Sequence, residues 1–311
     1  MNPAYSVILF TTASGAGYGL LLLLGLVGFN HGPATSMAFA ISAMVMALAL
    51  ITTGLLSSTL HLGHPERAWR ALSQWRSSWL SREGIAAVAT YPVAILFGAV
   101  WSGMIEFPLL VAPLGSLTAL LCVITVFCTA KIYSTLKTIR AWHNPLTIPV
   151  YLNFALASGA SLLMAIASVF GRFQHMQATI TIIAIAVLGI LKIIYWRKTD
   201  SAEKTHSMSA ATGLGTKPGE SVRQWEVPHT NANFIMKEMG FVVARKHALS
   251  LRRVVLALMM LAAALAMLSH WQPLLSIGAA LVMFAAAWTE RWLFFAEAEH
   301  VVGLFYGKQS A

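Results

Sequence analysis

The sequence predicts an all-α integral membrane protein, an eight-transmembrane-helix bundle with both termini cytoplasmic. Three observations carry that prediction. Of 311 residues, 58% are apolar and only 10% charged, and the mean hydropathy is +0.71; a water-soluble globule so poor in charge could not cover its own surface. The apolar residues run on for about 20 positions at a time, the length a helix needs to cross a hydrocarbon layer about 30 Å thick, without the alternation of a membrane barrel strand. Of the 21 lysines and arginines, all but Arg172 fall in segments on one side of the predicted bundle, an asymmetry that places those segments in the cytoplasm. The formal charge of +10 therefore reads as juxtamembrane basic residues against membrane lipid and not as a nucleic-acid surface. Soluble enzymes, free nucleic-acid binders and disordered scaffolds are excluded.

Taken in order, the expected spans are 7–29, 37–60, 84–106, 109–130, 147–170, 176–196, 254–271 and 273–297. The amino terminus, MNPAYSVILFTT, lacks a basic leader and a twin arginine, and the apolar run behind it is long enough to span, so it is read as the first helix. Lys192, Glu290 and Arg291 are placed near span ends, and Gln272-Pro273 is read as a tight turn between the last two helices. Residues 1–311 form a single membrane domain. The stretch 197–253 is the one expected cytoplasmic element of any size: it begins rich in Gly, Ser and Thr and continues as VPHTNANFIMKEMGFVVARKH, a short amphipathic helix entered through Asn231 or Asn233 and a candidate partner-docking element. Cys122 and Cys128 lie in one apolar stretch on different helix faces, so neither a disulfide framework nor a thiolate metal or cluster site is expected.

The chemistry concentrates between helices 2 and 3, in HLGHPERAWRALSQWRSSWLSRE. Trp69, Trp75, Trp79 and the arginines read as interfacial anchors. His61 and Glu83 close the two flanking helices and can face each other across one inlet. A protonatable pair at the edge of an apolar core is what a quinone site needs, to hydrogen-bond a carbonyl oxygen and move the accompanying proton; the alternative is a helix cap and a lipid headgroup contact. Haem is not expected, because none of the ten histidines stands at the centre of a span. Glu106 is placed at the outer end of helix 3, as an exposed cap or a proton exit. Glu290 and Arg291, in the inner part of helix 8, read either as an ion pair with a neighbouring helix or as a pocket wall. A transporter is disfavoured by the lack of a repeat and of a broken helix pair.

HLGHPERAW closing helix 2, WLSRE opening helix 3, KEMGFVVARKH before helix 7 and the eight spans resemble the DmsC family, the membrane anchors of dimethyl sulfoxide reductase-type molybdoenzymes, and within it the sulfite dehydrogenase (SoeABC) branch, over essentially the whole chain. The resemblance implies an eight-helix, multi-pass subunit of the bacterial inner membrane without haem or metal of its own. It would work with a four-cluster ferredoxin-like iron–sulfur subunit and a catalytic subunit that holds molybdenum bis(pterin guanine dinucleotide), and exchange electrons with ubiquinone or menaquinone. The catalytic chemistry would lie in the partner, so no catalytic residue is expected in this chain. The family implicates positions matching His61 and Glu83, 22 residues apart, in menaquinol binding. On that reading His61 hydrogen-bonds or protonates the quinone, Glu83 relays protons, and His64 and Arg67 complete the set, Arg67 by orienting Glu66 or a headgroup. The cytoplasmic placement of the basic loops fits the sulfite-oxidising branch, in which electrons run to quinone; an S-oxide reductase would run the sequence of transfers from menaquinol, and a pure tether would leave quinone to another component.

Overall fold

In the computed structural model, which describes residues 4–34, 36–60, 62–202, 207–215, 222, 225–226 and 243–306, each of the eight apolar stretches is a helix long and apolar enough to cross a membrane. They are α1 (Tyr5–His31), α2 (Met37–Thr59), α3 (Trp79–Trp101), α4 (Pro108–Ser134), α5 (Thr147–Val169), α6 (His175–Ser201), α7 (His247–Leu268, continuing a helix that begins at Val243) and α8 (Leu275–Ala296). Helix is obligatory here because every backbone group in hydrocarbon must find its partner within the segment.

The helices overrun the apolar stretches at one end of the bundle, since charge ends membrane burial without ending a helix. α3 starts at Trp79, five residues before the expected 84, because Ser78 caps it by accepting from the Ser81 amide. α6 continues to Ser201, which carries Lys192 inside the bundle, where it is 1% exposed. At the other end α3 stops sooner than expected: Gly103 takes φ +82°, a left-handed value that turns the chain. Glu106 consequently lies in the connection after α3 and not at its end. The α7–α8 turn likewise spans 269–274 and is wider than Gln272-Pro273 alone.

α1 runs through the centre, packed on α2, α4 and α5; α3 pairs with α4, α7 with α8, and α5 touches α6 and α8. Small residues permit this. A Cβ on Gly159 of α5 would lie 2.1 Å from the Gly19 carbonyl carbon of α1, and one on Gly25 would lie 2.5 Å from the Gly115 oxygen of α4. Backbone-to-backbone approach of that kind replaces the hydrophobic drive that lipid cannot supply between helices. Within α1, residues Phe10–Ser14 form a π-turn, and all five are buried.

The ends of the described bundle and the connections 60–78 and 135–146 share one end, called here the terminal face. There Pro65–Gln74 forms an exposed 3-10 helix. Arg70 within it and Arg76 just beyond it lie 5.7 and 5.5 Å over the rings of Trp69 and Trp75, an arrangement suited to a headgroup layer. Arg252 of α7 joins Asp200 of α6 (2.6 Å) to Glu297 after α8 (2.9 Å). Beyond α6 a short helix, Met208–Thr212, is capped by Ser207. The amphipathic helix expected over VPHTNANFIMKEMGFVVARKH lies outside the described residues, apart from its last five positions, which open the helix of α7.

Candidate functional site

Most of the core is Leu, Ala, Ile and Phe, yet the half of the bundle nearer the terminal face encloses a polar chamber. Its walls come from the π-turn of α1 (Thr11, Thr12, Ser14) with Tyr18, from Thr129 of α4, from Tyr151 and Ser158 of α5, and from Arg291 of α8. The free space is about 20 Å³, room for about one water molecule. Some hydroxyls are satisfied by their own helix: Thr11 donates to the Val7 carbonyl (3.0 Å) and Ser14 to that of Phe10 (2.6 Å). Others are not. The hydroxyls of Thr12, Tyr18 and Tyr151 and both terminal nitrogens of Arg291 are buried with no well-aligned hydrogen bond, although Tyr151 and Arg291 face each other and Tyr18 faces Thr125. Such groups are costly unless something meets them, about 1–3 kcal/mol for each neutral one.

Glu83 stands behind Thr129. Two neighbours set its direction: Ser81 donates to the Ala71 carbonyl of the 3-10 segment, and Arg82 donates to the carbonyls of Trp75 (2.9 Å) and Arg76 (2.7 Å) while covering Trp79 at 4.3 Å. With residues 81 and 82 fastened to the preceding segment, the next position along a helix of 3.6 residues per turn points inward. The Glu83 carboxylate is 4% exposed and accepts from the Thr129 hydroxyl. It is also within electrostatic reach of Tyr18, Tyr133 and Tyr151.

On the far wall Glu290 is fully buried between two cations. Its Oε1 is 2.5 Å from Lys192 Nζ and its Oε2 is 3.0 Å from Arg291 Nε, the second approach lacking hydrogen-bond alignment. Arg291 lies flat over Tyr151, 3.8 Å from the ring centroid, and 4.8 Å from that of Phe154. Lys192 stands 4.2 and 4.6 Å over Tyr195 and Trp196. Glu290 with Lys192 and Arg291 brings charges of opposite sign together, which is how an apolar bundle tolerates buried ionisable groups. Lys192 also borders a second cavity of about 310 Å³ at the terminal face, with Arg140, Asp200, Arg252 and Glu297 around it. A third, of about 540 Å³, opens at the opposite end; it is largely apolar, with Asn30, His31, Arg172 and Gln177 among its polar residues.

The sequence profile of the DMSO reductase anchor subunit (DmsC) matches residues 1–307. The chain belongs to the DmsC family. The C subunit of sulfite dehydrogenase from Allochromatium vinosum is 34% identical over 98% of this chain and 99% of its own length. The C polypeptide of the anaerobic dimethyl sulfoxide reductase from Haemophilus influenzae is 28% identical over 45% of this chain and 50% of its own. The YnfH polypeptide of an anaerobic dimethyl sulfoxide reductase from Escherichia coli is 25% identical over 61% and 64%.

In this DmsC-family subunit the residues predicted for a quinone site separate into two places. Glu83 is buried beside the chamber, whereas His64 and Arg67 are on the exposed segment after α2, where both meet Glu66, at 3.0 and 3.6 Å. His61 lies outside the described residues. Glu290 pairs with Lys192 of α6, and Arg291 lines the chamber. Sequence reading missed Thr129, Tyr18, Tyr151 and the depth of Lys192. The signal available was the crowding of hydroxyls into apolar spans, as in the FTTAS run of α1.

Proposed function

We propose that this subunit anchors a molybdenum and iron–sulfur oxidoreductase in the bacterial inner membrane and passes electrons between its iron–sulfur partner and quinone, whose head group is received in the chamber between α1, α4, α5 and α8. The observation that carries the reading is the cluster of buried donors with no well-aligned hydrogen bond, the Tyr18 and Tyr151 hydroxyls and the Arg291 guanidinium, near a buried carboxylate. A quinone oxygen accepts hydrogen bonds and takes up a proton with each electron, and this is the donor set such an oxygen requires. Glu83 stands one residue behind the chamber wall, at Thr129, and the larger groove at the opposite end is lined mainly by apolar side chains.

The donor chemistry fits; the free space of about 20 Å³ does not hold a ring, so the walls must part when one enters. Room for that lies at Gly15, just past the π-turn, where no atom comes within 4 Å of a Cβ position. Bound quinone would supply two-electron, two-proton chemistry. Tyr18, Tyr151 and Arg291 would orient its oxygens, and Glu83, aligned by Thr129, would hold and pass a proton. His61, from its place in the sequence, would act from the end of α2.

Sulfite oxidation is the favoured direction, supported by the sulfite dehydrogenase relative and by the bias of basic residues, which favours a cytoplasmic terminal face on which the partner subunits would dock. The test is sulfite-dependent quinone reduction by membranes holding the co-expressed complex, comparing the native protein with Glu83→Gln and His61→Ala, and sulfite-dependent dye reduction as the measure of assembly. Quinone reduction should fall in both variants while dye reduction persists. Native quinone-linked rates in both would refute the site. Dye-linked without quinone-linked activity in the native complex would leave a tether.

A further inference from the structure

We propose that Lys192 and Glu290 are a proton-exchange pair joining the chamber to the 310 Å³ cavity at the terminal face, with Arg291 as a fixed positive charge between the pair and the chamber. The inference rests on the quinone reading and adds a proton route to it. Its geometric basis is continuity: Lys192 borders the outer cavity, Arg291 borders the chamber, and Glu290 touches both. All three residues are at most 2% exposed.

Lys192, Glu290 and Arg291 fill the space between the outer cavity and the chamber, so a proton taking this route passes through side chains. Reduction of one quinone takes two electrons, supplied by the iron–sulfur partner, and two protons. Arg291 stays charged at any working pH and cannot be the carrier. Lysine and glutamate can. A proton passes from Lys192 Nζ to the Glu290 carboxylate, leaving a neutral amine and a neutral acid. The acid releases it toward the chamber past the Tyr151 hydroxyl, which faces Arg291, and Lys192 takes a replacement from the outer cavity. One proton enters and one leaves, and no electron moves on these residues. The transfer within the pair spans only 2.5 Å and leaves the local net charge unchanged, which keeps its electrostatic cost low inside an apolar bundle.

The groups facing the pair are Arg291 and Tyr151 on the chamber side and Tyr195 beneath the lysine. From the cavity side Asp200, Arg252, Glu297, Arg140 and Glu299 face it. Glu297 suits a proton-collecting mouth: burial pushes its carboxyl above the ordinary range, against the opposing pull of Arg252.

A merely structural ion pair would hold α6 to α8 and nothing more, and replacing such a pair with neutral residues of similar shape is often harmless. The decisive comparison is therefore the complete complex with Lys192→Met and Glu290→Gln together, which removes one charge of each sign. Dye-linked turnover reports assembly. Quinone-linked turnover should drop about a hundredfold, with a larger solvent isotope effect and a displaced pH profile. Infrared difference spectra of the native complex, recorded on reduction of added quinone, should contain a carboxyl band that shifts in Glu290→Asp and disappears in Glu290→Gln. A native rate and pH profile in the double variant would overturn the relay and leave the quinone site standing, and a carboxyl spectrum unchanged by Glu290→Asp would do the same even where the double variant fails to assemble. Absence of quinone-linked turnover in the native complex would overturn both.

Discussion

Gly159→Ala tests the packing that forms the chamber. The added Cβ would sit 2.1 Å from the Gly19 carbonyl carbon and 2.3 Å from the Leu20 nitrogen. Carbon pairs settle at about 3.5 Å, so α1 and α5 must separate by about 1.4 Å at the crossing. The obstructing atoms are backbone, and no rotamer change can relieve the clash. A gap of 0.5–1 Å already forfeits a quarter to a half of a contact's attraction, so the cost should reach or exceed about 3 kcal/mol, the upper end for overpacked cores. On the scaling of soluble domains this lowers the melting temperature by roughly 6 °C or more. The assay is thermal unfolding of the purified complex in detergent, followed by intrinsic fluorescence and light scattering. Gly189→Ala is the control, because its Cβ would meet nothing within 4 Å, and it should be neutral or stabilising by about 0.5–1 kcal/mol. Phe154, Ala155 and Ser158 line the chamber from the same stretch of α5, so Gly159→Ala should also impair quinone-linked turnover beyond its effect on dye-linked turnover. Melting of Gly159→Ala within about 1 °C of native would refute the close crossing.

Three further outcomes are expected. Gly15→Leu places a side chain into open space beside the chamber, so it should leave dye-linked turnover intact and abolish binding of a fluorescent quinone analogue; undiminished binding would move the site elsewhere. Thr129→Val keeps the shape but removes the donor to Glu83, costing about 1.5–3 kcal/mol, and Glu83→Gln in the same protein should recover part of that loss in a double-mutant cycle of melting temperatures; strict additivity would show that the two residues do not depend on each other. His300 is held below the usual imidazole range by burial, and its Nδ1 accepts from the Val302 amide at 3.0 Å, which a protonated ring cannot do. The unfolded chain binds this proton more readily, so the contribution is present above pH about 6.5 and lost as the pH falls through the lower folded value. Protection factors at Val301–Tyr306, which take out the intrinsic pH dependence of amide exchange, should fall on acidification and become insensitive to pH in His300→Gln; pH-independent protection in the native protein would contradict this.

The eight spans were legible because membrane crossing is a matter of length and apolar content, and both are local. Their ends at the terminal face were not: Ser78 caps α3, and Trp79 and Arg82 are as comfortable in a helix as in a loop, so the helix runs on past the apolar signal. Glu83 was legible as a carboxylate at the edge of the core. Its partner Thr129 lies 46 positions away on α4, a pairing that only the packing of α3 on α4 creates. Lys192 read as a charge near a span end, and its partner Glu290, 98 positions on, is what makes its burial tolerable. The α1–α5 crossing is of the same kind. GYG and SGAS each show small residues, but nothing local says which glycine meets which carbonyl.

The π-turn at Phe10–Ser14 has a bearing on how α1 tolerates changes in length. A turn closed five residues apart holds one more residue than the α-turn it replaces. The short segment Tyr5–Leu9 is therefore out of phase with the rest of α1 by one position, about 100° of rotation. Ile8, wholly buried, keeps its inward direction because of that offset. Deleting a single residue between positions 10 and 14 would let the helix close regularly, turn Ile8 away from its seat and withdraw Thr12 from the chamber. Lengthening or shortening the segment ahead of Tyr5 would leave that phase untouched.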